Sequence, residues 1–113
     1  MTAEARMRAL AIANEVRGKR SALKADLRSG RVRLADVLLS EEPWLQSMQV
    51  RELLLSTPAV GKVKANRALR YCWISSTATL GQTSRQSREK LLQWLADRHP
   101  KAGVGEWRRS THA

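Results

Sequence analysis

The chain has 113 residues, with 21 lysines and arginines against 10 aspartates and glutamates, which gives a formal net charge of +11. This length fits one domain with at most a short terminal extension, and the positive charge indicates a polyanionic partner or an acidic surface. No run approaches the ~18 apolar residues that span a bilayer, and charges interrupt the apolar N-terminal segment, so we predict neither a membrane span nor a secretory signal. The single cysteine excludes an internal disulfide and suits a reducing cytoplasm.

The fold class is predicted to be all-α. Phenylalanine is absent, β-branched residues are scattered, and no segment of useful length alternates between polar and apolar residues. We divide the chain into a long basic N-terminal helix (1–32), a second helical region (33–99) and a mobile basic tail (100–113) that lacks a periodic apolar face.

Residues 2–29 are predicted to form one helix that ends at Gly30. At ~100° per residue, one narrow apolar arc is expected to dock on the core, and it contains Ile12, Val16, Leu23 and Leu27. The adjacent arc contains Arg6, Arg17, Arg20, Lys24, Arg28 and Arg31, while the acidic residues Glu4, Glu15 and Asp26 lie on the far side. Because the signs are segregated, the basic arc favours contact with an anion, with a merely solvated face as the alternative. The Ala-rich apolar arc disfavours a membrane-surface helix.

The following elements are shorter. A helix is predicted at 34–39, and Pro43 is suited to open the next segment. In that segment Trp44, Leu45 and Met48 are interpreted as packing residues, with base stacking as the alternative for Trp44.

Two more helices close the predicted domain. The first, from Lys62 to about Trp73, directs Ala65, Leu69 and the core thiol Cys72 inward. A polar connector at 74–82 follows, with Leu80 as its anchor and Gly81 as a turn. The pattern of residues 83–86 is that of a capping box at the start of the last helix, which carries Leu91, Leu92 and Leu95 inward and stops before Pro100.

The stretch 50–70, VRELLLSTPAVGKVKANRALR, contains the strongest functional pattern. An apolar helical run breaks at Thr57-Pro58, because proline lacks an N–H, and Gly61 permits a left-handed or closely approached backbone. The next helix then begins with free N–H groups and its positive dipole end outward, beside Lys62 and Lys64. This pattern predicts a helix–hairpin–helix whose turn grips a phosphate of a nucleic acid.

Nothing in the sequence indicates an enzyme. A hairpin-containing glycosylase needs a nucleophile and a carboxylate near the flipped base, but no Asp or Glu occurs between Leu53 and Arg88. His99 and His112 have no Cys or His at metal-ligand spacing. We expect no cofactor, although a monovalent cation at the hairpin carbonyls is left open.

With these elements in place, the sequence resembles the actinobacterial (mycobacterial-type) integration host factor family. The resemblance covers roughly Arg6 to Leu95 and is carried by M-x-V-x-x-L-L from Met48, P-x-V-G-K-V-K-A from Pro58 and the segment RGKRSALKADLR. It implies a long N-terminal helix followed by a helix–two-turn–helix (H2TH) domain. It also implies a nucleoid-associated protein that binds duplex DNA with little sequence preference and bends or compacts it.

The resemblance also implies which residues bind DNA. The hairpin match implies phosphate contacts from Val60, Gly61, Lys62 and Lys64, and the helix match implies a second surface at Arg17, Arg20 and Lys24. Arg28, Arg67, Thr79, Arg85 and Arg88 complete the predicted DNA-binding set.

One departure from the family pattern concerns the connector. Family members typically carry several arginines there, which enter the minor groove, whereas this chain has Ala78, Thr79 and Gly81 at the corresponding places. The minor-groove element is therefore expected to be weakened, with Arg85 and Arg88 as partial substitutes.

The predicted partner is double-stranded DNA, bound by a monomer in the cytoplasmic nucleoid, with a recombinase as a further candidate partner. An RNA- or ribosome-associated binder is the first alternative. A recombinase accessory adaptor, using an exposed tryptophan such as Trp107, is the second.

Overall fold

The computed structural model describes residues 2–98, and the predicted tail at 100–113 lies outside the described residues, as do Trp107, His99 and His112. The described part contains five α-helices: α1 (Ala3–Ser29), α2 (Leu34–Leu38), α3 (Val50–Leu55), α4 (Lys62–Tyr71) and α5 (Arg85–Arg98). Two short 3-10 helices at Pro43–Ser47 and Leu80–Gln82 complete it. Within residues 2–98 there is no β-strand, only an isolated bridge between Gln49 and Thr79. The all-α class with a long N-terminal helix is confirmed.

Helix α1 begins and ends where its capping residues require. The Thr2 hydroxyl accepts a hydrogen bond from the Ala5 N–H at 3.1 Å, which satisfies one of the free donors of the first turn. At the other end Gly30 adopts φ 80°, the left-handed conformation that glycine permits most readily. The 27 residues between them give a helix about 40 Å long.

Only the C-terminal part of α1 packs on the core. Leu27 is buried and Leu23 partly buried, but Val16 is only half-buried and Ile12 is 63% exposed. The expectation that the whole apolar arc docks on the core is therefore wrong for its N-terminal half. The remaining elements are too compact to cover so long a helix, and the described part measures 52 Å along one axis against 31 and 27 Å along the others.

The core is built from aliphatic residues of every helix. Its largest fully buried side chains are Leu27, Leu34, Leu38, Met48, Val50, Leu53, Leu54, Leu80, Leu91, Leu92 and Leu95. Ala65, Leu69 and Cys72 lie on the inward face of α4 as predicted. Burial raises the pKa of the Cys72 thiol, which suits a core residue and keeps it protonated at neutral pH.

The connector between α4 and α5 is fixed to the segment before α3. The Leu80 N–H donates to the Met48 carbonyl at 2.8 Å, and the Val50 N–H donates to the Ala78 carbonyl at 3.0 Å. Gly81 lies so close to Gln46 that a β-carbon there would stand 3.1 Å from the Gln46 Cβ and carbonyl oxygen. Close approach of the backbone, rather than a turn with positive φ, is the reason for this glycine.

Helix α5 begins differently from the prediction. The Ser84 hydroxyl, not that of Thr83, accepts from the Ser87 N–H at 3.1 Å. The Thr83 hydroxyl instead donates to the Thr79 carbonyl at 2.9 Å. The capping box predicted over residues 83–86 is therefore wrong, because Thr83 is used to hold the connector.

No helix among residues 2–98 is long and apolar enough to cross a membrane.

Candidate nucleic-acid interface

The turn between α3 and α4 (residues 56–61, the α3–α4 turn) is held by short-range hydrogen bonds. The Thr57 hydroxyl donates to the Leu53 carbonyl at 3.0 Å, and the Val60 N–H donates to the Thr57 carbonyl at 3.2 Å. Val60 is 5% exposed and anchors the turn in the core, whereas Pro58 is exposed. The turn is thus a rigid loop with an apolar base and an open rim.

The left-handed residue of this turn is Ala59, not Gly61. Ala59 has φ 66°, while Gly61 has φ −90° and ψ 179°, an extended conformation that any residue adopts. Of the two alternatives predicted for Gly61, a left-handed or a closely approached backbone, the left-handed one is therefore wrong. A β-carbon at Gly61 would meet nothing within 4 Å. Neither the backbone conformation nor internal packing requires glycine at this position.

The first turn of α4 presents unused hydrogen-bond donors. Among residues 2–98, no backbone or side-chain acceptor takes the N–H groups of residues 61–64, and the first internal bond runs from the Ala65 N–H to the Gly61 carbonyl at 2.9 Å. Adjacent N–H groups at the positive end of a helix dipole form an anion site. Residues 59–64 line a concave surface around these donors.

The two lysines beside this site differ in their contacts. Lys62 is exposed, whereas Lys64 is half-buried and its ammonium donates to the Ala59 carbonyl at 3.1 Å. The turn therefore holds one cation close to the free N–H groups and leaves a second in solvent. Arg67 and Arg70 lie exposed farther along α4, and Asn66 accepts from the Arg51 guanidinium at 3.2 Å, which ties α4 to α3.

The basic arc of α1 reaches the rest of the molecule at two points. Arg20 donates to the Ser47 hydroxyl, and its Nε is buried without a partner among the described residues. Lys24 forms an ion pair with Glu52 on α3. Arg17 donates to the Asn14 side chain of its own helix at 3.4 Å, and Arg28 is exposed. Part of the predicted second surface thus also holds α1 in place.

A groove of about 320 Å³ separates the end of α1 from α3. It is lined by Lys24, Arg28, Gln49, Arg51, Glu52, Leu55 and Ser56. Three cations against one carboxylate leave it positive. Arg51 was not among the predicted site residues, although its place in the segment before the turn could have indicated it.

The predicted residues around the connector have unequal surroundings. Arg85 is exposed, with its Nε 4.0 Å from Glu89, and Thr79 is half-buried, its N–H donating to the Gln82 side chain at 3.0 Å. Arg88 is bound internally: its Nε donates to the Thr83 carbonyl at 3.1 Å and its Nη1 to the Leu38 carbonyl at 3.2 Å. Burial lowers the pKa of Arg88. The structure thus gives Arg88 a role inside the fold that the sequence did not indicate.

Trp44 and Trp73 present opposite cases. Trp44 is partly buried against the core, with the Lys19 ammonium 5.9 Å from its ring, so its predicted packing role is confirmed. Trp73, for which only a place near the end of a helix was predicted, is 92% exposed.

Within residues 2–98 no group of three or more His, Cys, Asp or Glu side chains is arranged to hold a metal ion.

Neither a protein-family model nor a curated protein sequence matches the chain. A solved structure of sIHF, an integration host factor, bound to an 8-base-pair palindromic DNA is similar to it. The TM-score is 0.67 and the sequence identity 26%, over 73% of this chain and 94% of that chain. The similarity shows that the chain has an all-α fold of the integration-host-factor kind.

Proposed function

We propose that this protein is an architectural protein that binds duplex DNA through backbone phosphates, with little preference for sequence. The observation that carries the proposal is the row of unused N–H groups at residues 61–64, which faces open space beside Lys62. The similarity to sIHF, whose structure holds DNA, supports the same conclusion.

The α3–α4 turn binds one phosphate. The N–H groups donate to its oxygens, and Lys62 adds a charge that neutralises it. The Lys64 ammonium already donates to the Ala59 carbonyl, so a cation of the chain itself lies at the turn. The Thr57 carbonyl is also engaged, because it accepts from the Val60 N–H. We therefore assign this contact without an added monovalent ion.

The positive groove between α1 and α3 is a second contact with the phosphate backbone. Arg28 and Arg51 line it, and Arg17 extends the same basic arc along α1. Two contacts on different elements give the protein the means to bend one duplex or to bridge two. The cations come from several elements and their common target is phosphate, which carries no sequence information.

The proposal concerns binding and not catalysis. We place the protein on DNA in the nucleoid of the cytoplasm and take the monomer as the binding unit. A recombinase acting on the same DNA is a candidate partner in that setting.

A titration monitored by fluorescence anisotropy tests the proposal. The protein is added to a labelled duplex, to a second duplex of unrelated sequence and to a structured RNA, each at 50 and 200 mM salt. We expect similar affinity for the two duplexes, weaker RNA binding, and a fall of about 10³-fold or more across this salt range if six or more phosphates are contacted. A clear preference for RNA, or for one duplex over the other, would contradict the proposal.

A further inference from the structure

Trp73 is the most exposed large apolar side chain of the described residues, at 92% exposure. Its ring has no aromatic or cationic partner among residues 2–98, in contrast to Trp44 and Trp94, which pack on the core. A fully exposed indole is unfavourable in water, since it leaves a large apolar area unburied.

The backbone at Trp73 is also unfavourable for this residue type. Its φ is 57°, in the left-handed region. Two hydrogen bonds fix this conformation at the end of α4, from the Trp73 N–H to the Arg70 carbonyl at 3.2 Å and from the Ile74 N–H to the Leu69 carbonyl at 2.9 Å. Glycine is the usual residue at this position of such a helix end. A tryptophan there accepts strain, and strained residues concentrate at functional sites.

The backbone that carries the indole is held firmly although the ring is exposed. Its neighbours in the chain, Cys72 and Ile74, are 4% and 8% exposed and are both fixed in the core. The ring therefore projects from a rigid base, which reduces the entropy lost when it contacts a partner.

The surroundings of Trp73 suit a nucleic acid. No carboxylate occurs between Leu53 and Arg88, whereas this segment carries exposed arginines before and after Trp73 in the sequence, at Arg70 and Arg85. Next to the ring lies a cavity of about 400 Å³ lined by neutral hydrogen-bonding side chains, namely Ser75, Gln82, Thr83, Ser84 and Ser87. An exposed apolar ring beside neutral polar groups, in a basic segment without carboxylates, matches a base bordered by phosphates.

We propose that the Trp73 indole stacks against the bases of the bound duplex as a wedge at one base step, and that this contact bends the DNA. The proposal rests on the proposed function. Helix α4 separates the ring from the phosphate site by ten residues, or about 15 Å, which corresponds to four or five base pairs along the same duplex. It gives the protein a means of deforming DNA although its connector contains no arginine.

The variant W73G provides a test that does not depend on damage to the fold. Glycine accepts the left-handed backbone, so the melting temperature is expected to equal or exceed that of the wild type. W73F keeps an aromatic ring and serves as the rescue variant. Bending is measured by energy transfer between dyes at the two ends of a duplex of about 30 base pairs, and the salt dependence of affinity is measured on the same duplex.

We expect the wild type to bring the duplex ends closer together, W73F to retain most of this change, and W73G to leave the ends as in free DNA. Affinity of W73G should fall by about 5- to 150-fold, the range for loss of one base–aromatic stack, with an unchanged salt slope because the phosphate contacts remain. Equal bending by W73G and the wild type would overturn the proposal, as would a lower melting temperature for W73G. Wild-type binding without bending would overturn the wedge and leave the proposed function intact, whereas failure of the wild type to bind DNA would overturn both.

Discussion

Positions 61 and 81 are both occupied by glycine, but for different reasons. At Gly81 a β-carbon would stand 3.1 Å from Gln46, so internal packing excludes a side chain. At Gly61 the same atom would meet nothing within 4 Å, and φ is −90°. The space at Gly61 is therefore open to a group from outside the chain, at the place where the free N–H groups lie.

The variant Gly61→Ala separates folding from binding. Stability should change by less than about 1 kcal/mol, because alanine adopts this conformation and restricts the unfolded chain, whereas it is a poorer residue than glycine at the N-cap of α4. DNA affinity should fall by about tenfold or more, because the added methyl group would keep a phosphate from hydrogen bonds worth about 1.5–3 kcal/mol each. Gly18→Ala, in an open part of α1, is the control: it should stabilise by ~1 kcal/mol and leave affinity unchanged. Unaltered DNA binding by Gly61→Ala would place the phosphate elsewhere.

Arg85 and Arg88 should respond differently to replacement by alanine. Arg88 donates to the Leu38 and Thr83 carbonyls, so Arg88→Ala should destabilise the fold by about 1–3 kcal/mol in urea denaturation. Arg85 is exposed, so Arg85→Ala should change stability by less than about 0.5 kcal/mol. Equal stability of the two variants would refute the internal role of Arg88.

At the scale of elements, the ends of α1 were predictable because they depend on local chemistry. Thr2 and Gly30 fix α1 within a residue of the predicted bounds, and the inward face of α4 follows from its periodicity. The periodicity of α1 shows which side is apolar, but not how much of that side a neighbour covers. This is why Ile12 was wrongly expected to dock.

The candidate site was predictable in part for the same reason. The break at Pro58 and the new helix at Lys62 are local signals, and the structure places the free N–H groups there. The left-handed conformations of Ala59 and Trp73 carry no such signal, because neither residue type favours this region. The pairing of Lys24 with Glu52 depends on how α1 crosses α3, which the sequence does not contain.

That pairing leads to a prediction for the groove between α1 and α3. Glu52→Gln removes the carboxylate from the groove and releases Lys24, at a cost of no more than about 1 kcal/mol for a partly exposed pair. DNA affinity at low salt should rise about fivefold, and the salt slope should steepen by about 0.9 as one more cation reaches a phosphate. Anisotropy titrations measure both quantities.

Glu15→Gln is the matched control, because Glu15 pairs with Lys19 within α1 and the change of net charge is the same. Its effect on affinity should stay within about twofold. If the two variants bind DNA equally, the groove has no role beyond that of net charge.

At the scale of the whole molecule, the charge is distributed unevenly. The chain has an excess of 11 positive charges, yet no carboxylate lies between Leu53 and Arg88. The α3–α4 turn, the exposed face of α4 and the start of α5 belong to this segment. The acidic residues lie chiefly on α1 and on the segments before the turn, so the repulsion of a polyanion is weakest where the free N–H groups lie.

The most direct test of the central claim is the salt dependence of duplex binding by the double variant K62A/K64A. The charge-matched control is K19A/R33A, in which both lost cations are paired with carboxylates three or four residues away in the chain. Binding to two unrelated duplexes is measured between 50 and 200 mM salt. We predict that K62A/K64A weakens binding to both duplexes alike and flattens the slope of log K against log salt by about 2, while the control changes it little. A slope for K62A/K64A equal to that of the control, or a loss confined to one duplex, would contradict the assignment of the α3–α4 turn as the phosphate site.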